Sequence, residues 1–154
     1  MKISYLNQIQ TQVYQSFVNS DQNAFLGASE GSGKFTLALL SVAKCLEKGK
    51  KAIIIFPQKF TVSQRVLEVA KVFSKYKVGQ TYEDLTKDAG VLLNMDITLT
   101  TPEAWDVLTR RWKARKGFEQ IGLIVVDSLH MIGENFSTLE VVVSRMRYIC
   151  SQLG

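Results

Sequence analysis

A parallel α/β sheet with helices on both faces is the fold this sequence predicts, and three observations carry it. Short apolar runs at 24–26, 52–56 and 121–126 have the length and composition of strands buried in a parallel sheet. Between them lie segments whose apolar residues recur every three or four positions, the period of helices that cover a sheet. Ala28-Ser29-Glu30-Gly31-Ser32-Gly33-Lys34-Phe35-Thr36 reads as a phosphate-binding loop, a feature that belongs between a strand and a helix.

Taken in order, Ile9, Val13 and Phe17 predict an amphipathic helix over 7–17, stopped by Asn19-Ser20-Asp21-Gln22-Asn23. Ala24-Phe25-Leu26 is expected to be a short buried strand leading into the loop. Leu37, Leu40 and Ala43 predict a helix over 34–46, closed by Glu47-Lys48-Gly49. The strand Ala52-Ile53-Ile54-Ile55-Phe56 ends at Pro57, and Val62, Val66, Val69, Ala70 and Phe73 predict a crossover helix to about Lys75. Residues 79–90 are the least regular stretch and read as a turn with a short helix around Leu85. Ile97-Thr98-Leu99-Thr100 reads as a strand, and Pro102 suits the first turn of a helix carrying Trp105, Leu108 and Trp112 on one face. The last strand, 121–126, delivers Asp127 at its C-terminal end, where open parallel sheets gather ligands. Leu139, Val142, Val143, Met146 and Ile149 predict a final helix to about Gln152.

The 154 residues suffice for one domain with a real core, and 46% hydrophobic against 21% charged residues places the chain among globular rather than disordered sequences. The net charge of +5 permits an anionic partner without requiring one. Cys45 and Cys150 stand alone without metal-type spacing, as free buried thiols of a reducing compartment do. No apolar run approaches the length needed to span a bilayer, and the first residues lack an apolar signal core, so a soluble intracellular protein without a membrane partner is expected.

The loop follows the G-x-x-x-x-G-K-[ST] pattern with Ala28 at its first position and one departure. Gly31 and Gly33 let backbone N–H groups turn toward phosphate oxygens, the following helix points its positive end at them, and Lys34 adds a mobile charge. Lysine also commonly opens a helix face, which is the plainer reading of Lys34. Phe35 stands where a hydroxyl would join a Mg²⁺ shell, and a phenyl ring can neither coordinate a hard cation nor hydrogen-bond its waters. Thr36 is displaced by roughly 100° around the helix and does not replace it. Across the site, Asp127 is a candidate metal-side aspartate, or else the cap of the next turn. Ser128 has no basicity with which to orient a water. His130, the only histidine, reads as a structural ring. Residues 110–116 hold five cations in seven positions and suggest either RNA contact or a solvated or docking surface.

With the loop, Asp127-Ser128-Leu129-His130 and Thr101-Pro102-Glu103-Ala104-Trp105-Asp106 in place, the chain resembles the first RecA-like domain of a superfamily 2 helicase with a DExH box. Within that family it is most similar to the C-terminal cassette of the large tandem-cassette spliceosomal helicases. Asn7-Gln8-Ile9-Gln10-Thr11-Gln12-Val13, Arg110-Arg111-Trp112-Lys113-Ala114-Arg115-Lys116 and Leu139 to Ile149 extend the resemblance over nearly the whole chain. It implies a RecA-like P-loop NTPase fold over 1–154, as one domain of a longer protein that stops before the Ser-Ala-Thr motif. It places ATP or ADP at Gln10, Gly31, Ser32, Gly33, Lys34, Phe35 and Thr36, with Gln10 near the adenine. Asp127 would take Mg²⁺, held weakly or not at all, and Thr101, Pro102 and Glu103 would lie near a nucleic-acid strand. Active members of the family have Thr in place of Phe35 and Glu in place of Ser128, and a Thr-Gly-Glu turn that is missing after Lys77. The resemblance therefore implies a hydrolysis-deficient regulatory or protein-docking cassette of pre-mRNA splicing in the nucleus. Its partners would be a second RecA-like domain, a neighbouring helicase cassette, other splicing proteins and, more weakly, RNA. An RNA-dependent ATPase that tolerates both substitutions is the alternative; an unrelated P-loop kinase or GTPase has no supporting lid or base-recognition motif.

Overall fold

The computed structural model describes residues 5–20, 22–114, 116–131 and 137–153. Helix α1 (Gln8–Val18) opens on a reciprocal cap: Gln10 N donates to Asn7 Oδ1 and Asn7 N donates to Gln10 Oε1. Helix α2 (Lys34–Glu47) follows the loop, then strand β1 (Lys51–Ile55) and helix α3 (Lys59–Val72). Strand β2 (Val78–Gln80), helix α4 (Leu85–Asn94), strand β3 (Ile97–Thr100) and helix α5 (Pro102–Thr109) come next. Strand β4 (Ile121–Val126) and helix α6 (Ser137–Leu153) complete the described elements. The four strands are parallel in the order β2-β3-β1-β4.

The period-two alternation of β1 sorts the core into two layers. Ala52, Ile54 and Phe56 pack with Leu39, Val42 and Leu46 of α2 and Val62 and Val69 of α3. On the opposite face, Ile53 and Ile55 meet Trp105 and Leu108 of α5 and Leu139, Val142, Met146 and Ile149 of α6. Helices therefore cover both faces, as the sequence predicts. The register of β4 against β1 slips at the Lys51/Ala52 step, opposite Gly122. A Cβ there would lie 2.6 Å from Lys50 Cβ, so the slip needs glycine.

Four expectations are corrected. Ala24-Phe25-Leu26 is not a strand: Phe25 is 74% exposed, and no ladder joins the segment to β4, the edge strand of the described sheet. Three apolar residues between polar neighbours and Gly27 form a strand only if a partner supplies the hydrogen bonds. In α1 the buried residues are Gln10 and Val18, while Ile9 is 37% exposed, because the helix turns toward α2 and the loop. The stretch read as a turn contains β2, whose three residues around Gly79 show no period and become a strand by pairing with β3. Gly79 is required there, since a Cβ would approach Met95 Cγ to 2.7 Å. Finally, α5 ends at Thr109, and Trp112 reaches the second core layer from a separate 3₁₀ turn, Trp112–Ala114.

Candidate functional site

The loop is shaped by its glycines. Gly31 and Gly33 hold φ of +74° and +82°, left-handed values that side chains resist, and Gly33 is the N-cap of α2. A Cβ on Gly33 would also come within 2.3 Å of Gln10 Nε2. No side chain caps α2, which leaves its first N–H groups open toward the loop. Lys34 Nζ folds back to donate to the carbonyls of Ala28 (2.6 Å) and Ser29 (2.7 Å). Ser32 Oγ is buried without a hydrogen-bond partner among the described residues.

Helix α1 braces this loop. Asn7 Nδ2 donates to Ser32 O at 2.9 Å and Gln10 Nε2 to Gly33 O at 3.2 Å. Gln10 is 6% exposed, and its amide both closes the α1 cap and ties the cap to the loop. Asn7 is a participant the sequence reading missed, although the Asn-x-x-Gln spacing of a reciprocal cap was there to be read.

Phe35 does not lie across the loop. Its ring centroid is 5.8 Å from that of Phe56, just beyond β1, and the Arg65 guanidinium of α3 sits 4.6 Å from the ring centre. The ring thus joins the α2–α3 core layer. Asp127 is fixed by its own N–H, which donates to Ile55 O at 2.9 Å. Ser128 Oγ donates to Asp127 Oδ2 at 2.9 Å, engaging one of the two carboxylate oxygens. Ser128 holds φ of +60°, a strained conformation for a residue with a Cβ. His130, read from the sequence as a structural ring, is exposed in the 3₁₀ turn Leu129–Met131.

The residues fit a phosphate better than they fit a metal. Open N–H groups, the unpaired Ser32 hydroxyl, two left-handed glycines and a lysine suit a di- or triphosphate. For a divalent cation the chain offers Asp127, with the Ser128 hydroxyl already turned to its carboxylate and a phenyl ring, packed on Phe56, in place of a hydroxyl at position 35. Among the described residues no group of three or more His, Cys, Asp or Glu side chains could hold a metal ion.

Of the nucleic-acid candidates, Thr101 is buried as the N-cap of α5, its Oγ1 accepting from Ala104 N at 3.3 Å, and Pro102 is buried at the first turn. Glu103 is exposed and lines a cavity of about 180 Å³ with Glu83 and Asp88. Pro102 and Glu103 offer a phosphate no side-chain donor, and the Thr101 hydroxyl is buried. Thr81-Tyr82-Glu83 occupies the turn after β2, with Glu83 at φ +60° and paired to Lys59 at 3.1 Å. In the basic run Arg110 is committed to Asp106, Arg111, Lys113 and Lys116 are exposed, and Arg115 lies outside the described residues.

A parallel sheet carrying a glycine loop, a helix-opening lysine and an aspartate at the end of an apolar strand at the edge of the described sheet defines a RecA-like α/β domain. The chain matches the DEAD/DEAH box helicase family over residues 7–153 and belongs to it. It is 39% identical over 98% of its length to activating signal cointegrator 1 complex subunit 3-like of Dictyostelium discoideum. It is also 39% identical, over 99% of its length, to the human U5 small nuclear ribonucleoprotein 200 kDa helicase. It spans 7% of the length of each relative. A structure of a hypothetical ATP-dependent RNA helicase from Sulfolobus tokodaii shares the fold, with a TM-score of 0.68 at 17% identity, over 94% of this chain and 44% of that one. No helix among the described residues is long and apolar enough to cross a membrane.

Proposed function

We propose that this chain is a degenerate helicase ATP-binding domain that holds ATP or ADP through its phosphate loop, without efficient hydrolysis, and serves as a regulatory or docking cassette. The observation that carries the reading is the pair of substitutions on one reaction: Phe35 is built into the α2–α3 layer, and Ser128 is turned onto Asp127. A water-orienting group contributes about 10²- to 10⁴-fold to such a reaction, and loss of a metal ligand weakens hold on the cation that would stabilise the transition-state charge, so losing both removes most of the rate. Gly31, Ser32, Gly33, Lys34 and the open first turn of α2, including Phe35 N and Thr36 N, would hold the phosphates; Gln10 would sit toward the adenine end, and Asp127 would be the remaining contact for a weakly held Mg²⁺. The setting extends that of the U5 relative: pre-mRNA splicing in the nucleus, with a second RecA-like domain, a neighbouring cassette and splicing proteins as partners. RNA is the weaker partner, because Thr101 and Pro102 are buried and Glu103 is an anion.

The test is a labelled-nucleotide titration with and without Mg²⁺, followed by turnover with and without single-stranded RNA, on the protein carrying both RecA-like domains. Binding that changes little on chelation, with no RNA-stimulated turnover, is expected. Tight Mg²⁺-dependent binding with RNA-stimulated hydrolysis would overturn the proposal in favour of an active ATPase. Because the two relatives are equally similar, the splicing setting needs its own check: purification of the tagged protein from nuclear extract should recover U5 small nuclear RNA.

A further inference from the structure

A second built surface lies between α5 and α6, formed by none of the loop residues. A cavity of about 420 Å³ is lined by Asp106, Arg110, Ser137, Thr138, Val141 and Arg145. Asp106 forms its floor, 8% exposed, with both carboxylate oxygens occupied. Oδ2 accepts from Arg110 Nε at 2.9 Å and Nη2 at 2.6 Å, while Oδ1 accepts from Arg145 Nη1 at 2.6 Å. The same Arg145 nitrogen donates to Thr109 Oγ1 at 2.9 Å and Asp106 O at 3.1 Å. One carboxylate thus pins two guanidinium groups and leaves them a net positive charge. Arg145 Nε and Nη2 and Arg110 Nη1 keep donors without partners among the described residues. Arginines held in place in this way have already lost the rotamer freedom that binding would otherwise remove.

Beyond the cavity lining, the same face of α6 carries Tyr148. Val141 is 49% exposed and Tyr148 is 54% exposed, and the spacing Val141, Arg145, Tyr148 sets an aliphatic side chain, a guanidinium and an aromatic ring on one face. Arginine and tyrosine beside an apolar contact are the composition of a protein-binding hot spot. A nucleic-acid backbone fits less well: it calls for a broad run of cations, whereas this groove has an apolar wall and a carboxylate floor.

We infer that the α5–α6 groove docks an acidic segment of a partner protein, with a carboxylate on the Arg110 and Arg145 forks and an apolar neighbour against Val141 and Tyr148. This deepens the docking part of the proposed function and rests on that part alone, so the nucleotide titration does not decide it. Random peptides displayed on phage would be selected against the intact protein, and the recovered sequence titrated as a synthetic peptide. Recovered peptides should pair Asp or Glu with Leu, Ile, Val or an aromatic residue. Arg110→Gln and Val141→Glu should each weaken binding by about tenfold. Both are exposed positions, and Val141→Glu leaves the Asp106 pairs intact, so urea unfolding of each variant would show that the fold persists. Failure to recover acidic peptides, or binding indifferent to both substitutions, would overturn the inference. So would oligouridylate binding that depends on the same two residues, which would assign the groove to RNA.

Discussion

Phe35→Thr is the substitution that would restore the family's hydroxyl, and the structure says what it removes. The ring is partly buried against the α2–α3 layer, so losing it forfeits roughly half of the 1.5–3 kcal/mol of a fully buried phenylalanine, about 1 kcal/mol. The contact with Phe56 adds about 0.5–1 kcal/mol and the Arg65 cation–π contact about 0.5 kcal/mol. The sum is a destabilisation of about 2 kcal/mol, which for a domain of this size lowers Tm by roughly 4–8 °C. Urea unfolding checks it as a fall in midpoint at unchanged slope. Phe35→Leu keeps most of the burial and loses both π contacts, so it should cost about 1 kcal/mol. Arg65→Gln should cost about 0.5 kcal/mol more in the native background than in Phe35→Thr, where the ring partner is already gone and only the exposed pairing with Glu68 is left to lose. A loss below about 0.5 kcal/mol for Phe35→Thr, or additive behaviour with Arg65→Gln, would refute the packing of this ring.

Three further outcomes follow from the geometry. Burial alone would raise the Asp106 carboxyl, but hydrogen bonds from Arg145 and Arg110 outweigh it and hold the group below its ordinary value. Its stabilising contribution is therefore full above the unfolded value of about 3.9 and is lost as pH falls through the lower folded value; Asp106→Asn should lower stability at neutral pH and flatten the acid limb of a pH-dependent urea series. Asn7→Ala should cost about 1 kcal/mol by removing the α1 cap, and should also speed hydrogen exchange at Ser32 and Gly33, because the same side chain holds the loop. Burial raises the pKa of the Cys45 thiol, a backbone hydrogen bond at Gly122 offsetting part of this, while Cys150 is exposed, so a thiol reagent should modify Cys150 in the native protein and Cys45 only on unfolding.

The strands at 97–100 and 121–126 and the helix opening at Pro102 were legible because each signal is local: an apolar run, a proline, a Thr that caps. The loop was legible for the same reason, since left-handed glycines and a helix-opening lysine are adjacent in sequence. Three features were not. Val78–Gln80 becomes a strand only by pairing with β3, Gln10 is buried because α1 rolls onto the loop, and Asp106 acquires its two arginines from residues 4 and 39 positions away.

What the sequence by itself determined was the fold class and which side chains stand at the candidate site, a phenyl ring at 35 and a hydroxyl at 128, because residue type suffices to say which atoms can coordinate a cation. Which way Phe35 turns, and what holds Asp127, only the tertiary structure decided. A ring at the start of a helix can face the ligand or the core with the same local backbone, and the choice falls to Phe56 and Arg65, residues that share no sequence neighbourhood with it. The identity of residue 35 is thus written in the sequence, while the packing of its ring is a property of the fold.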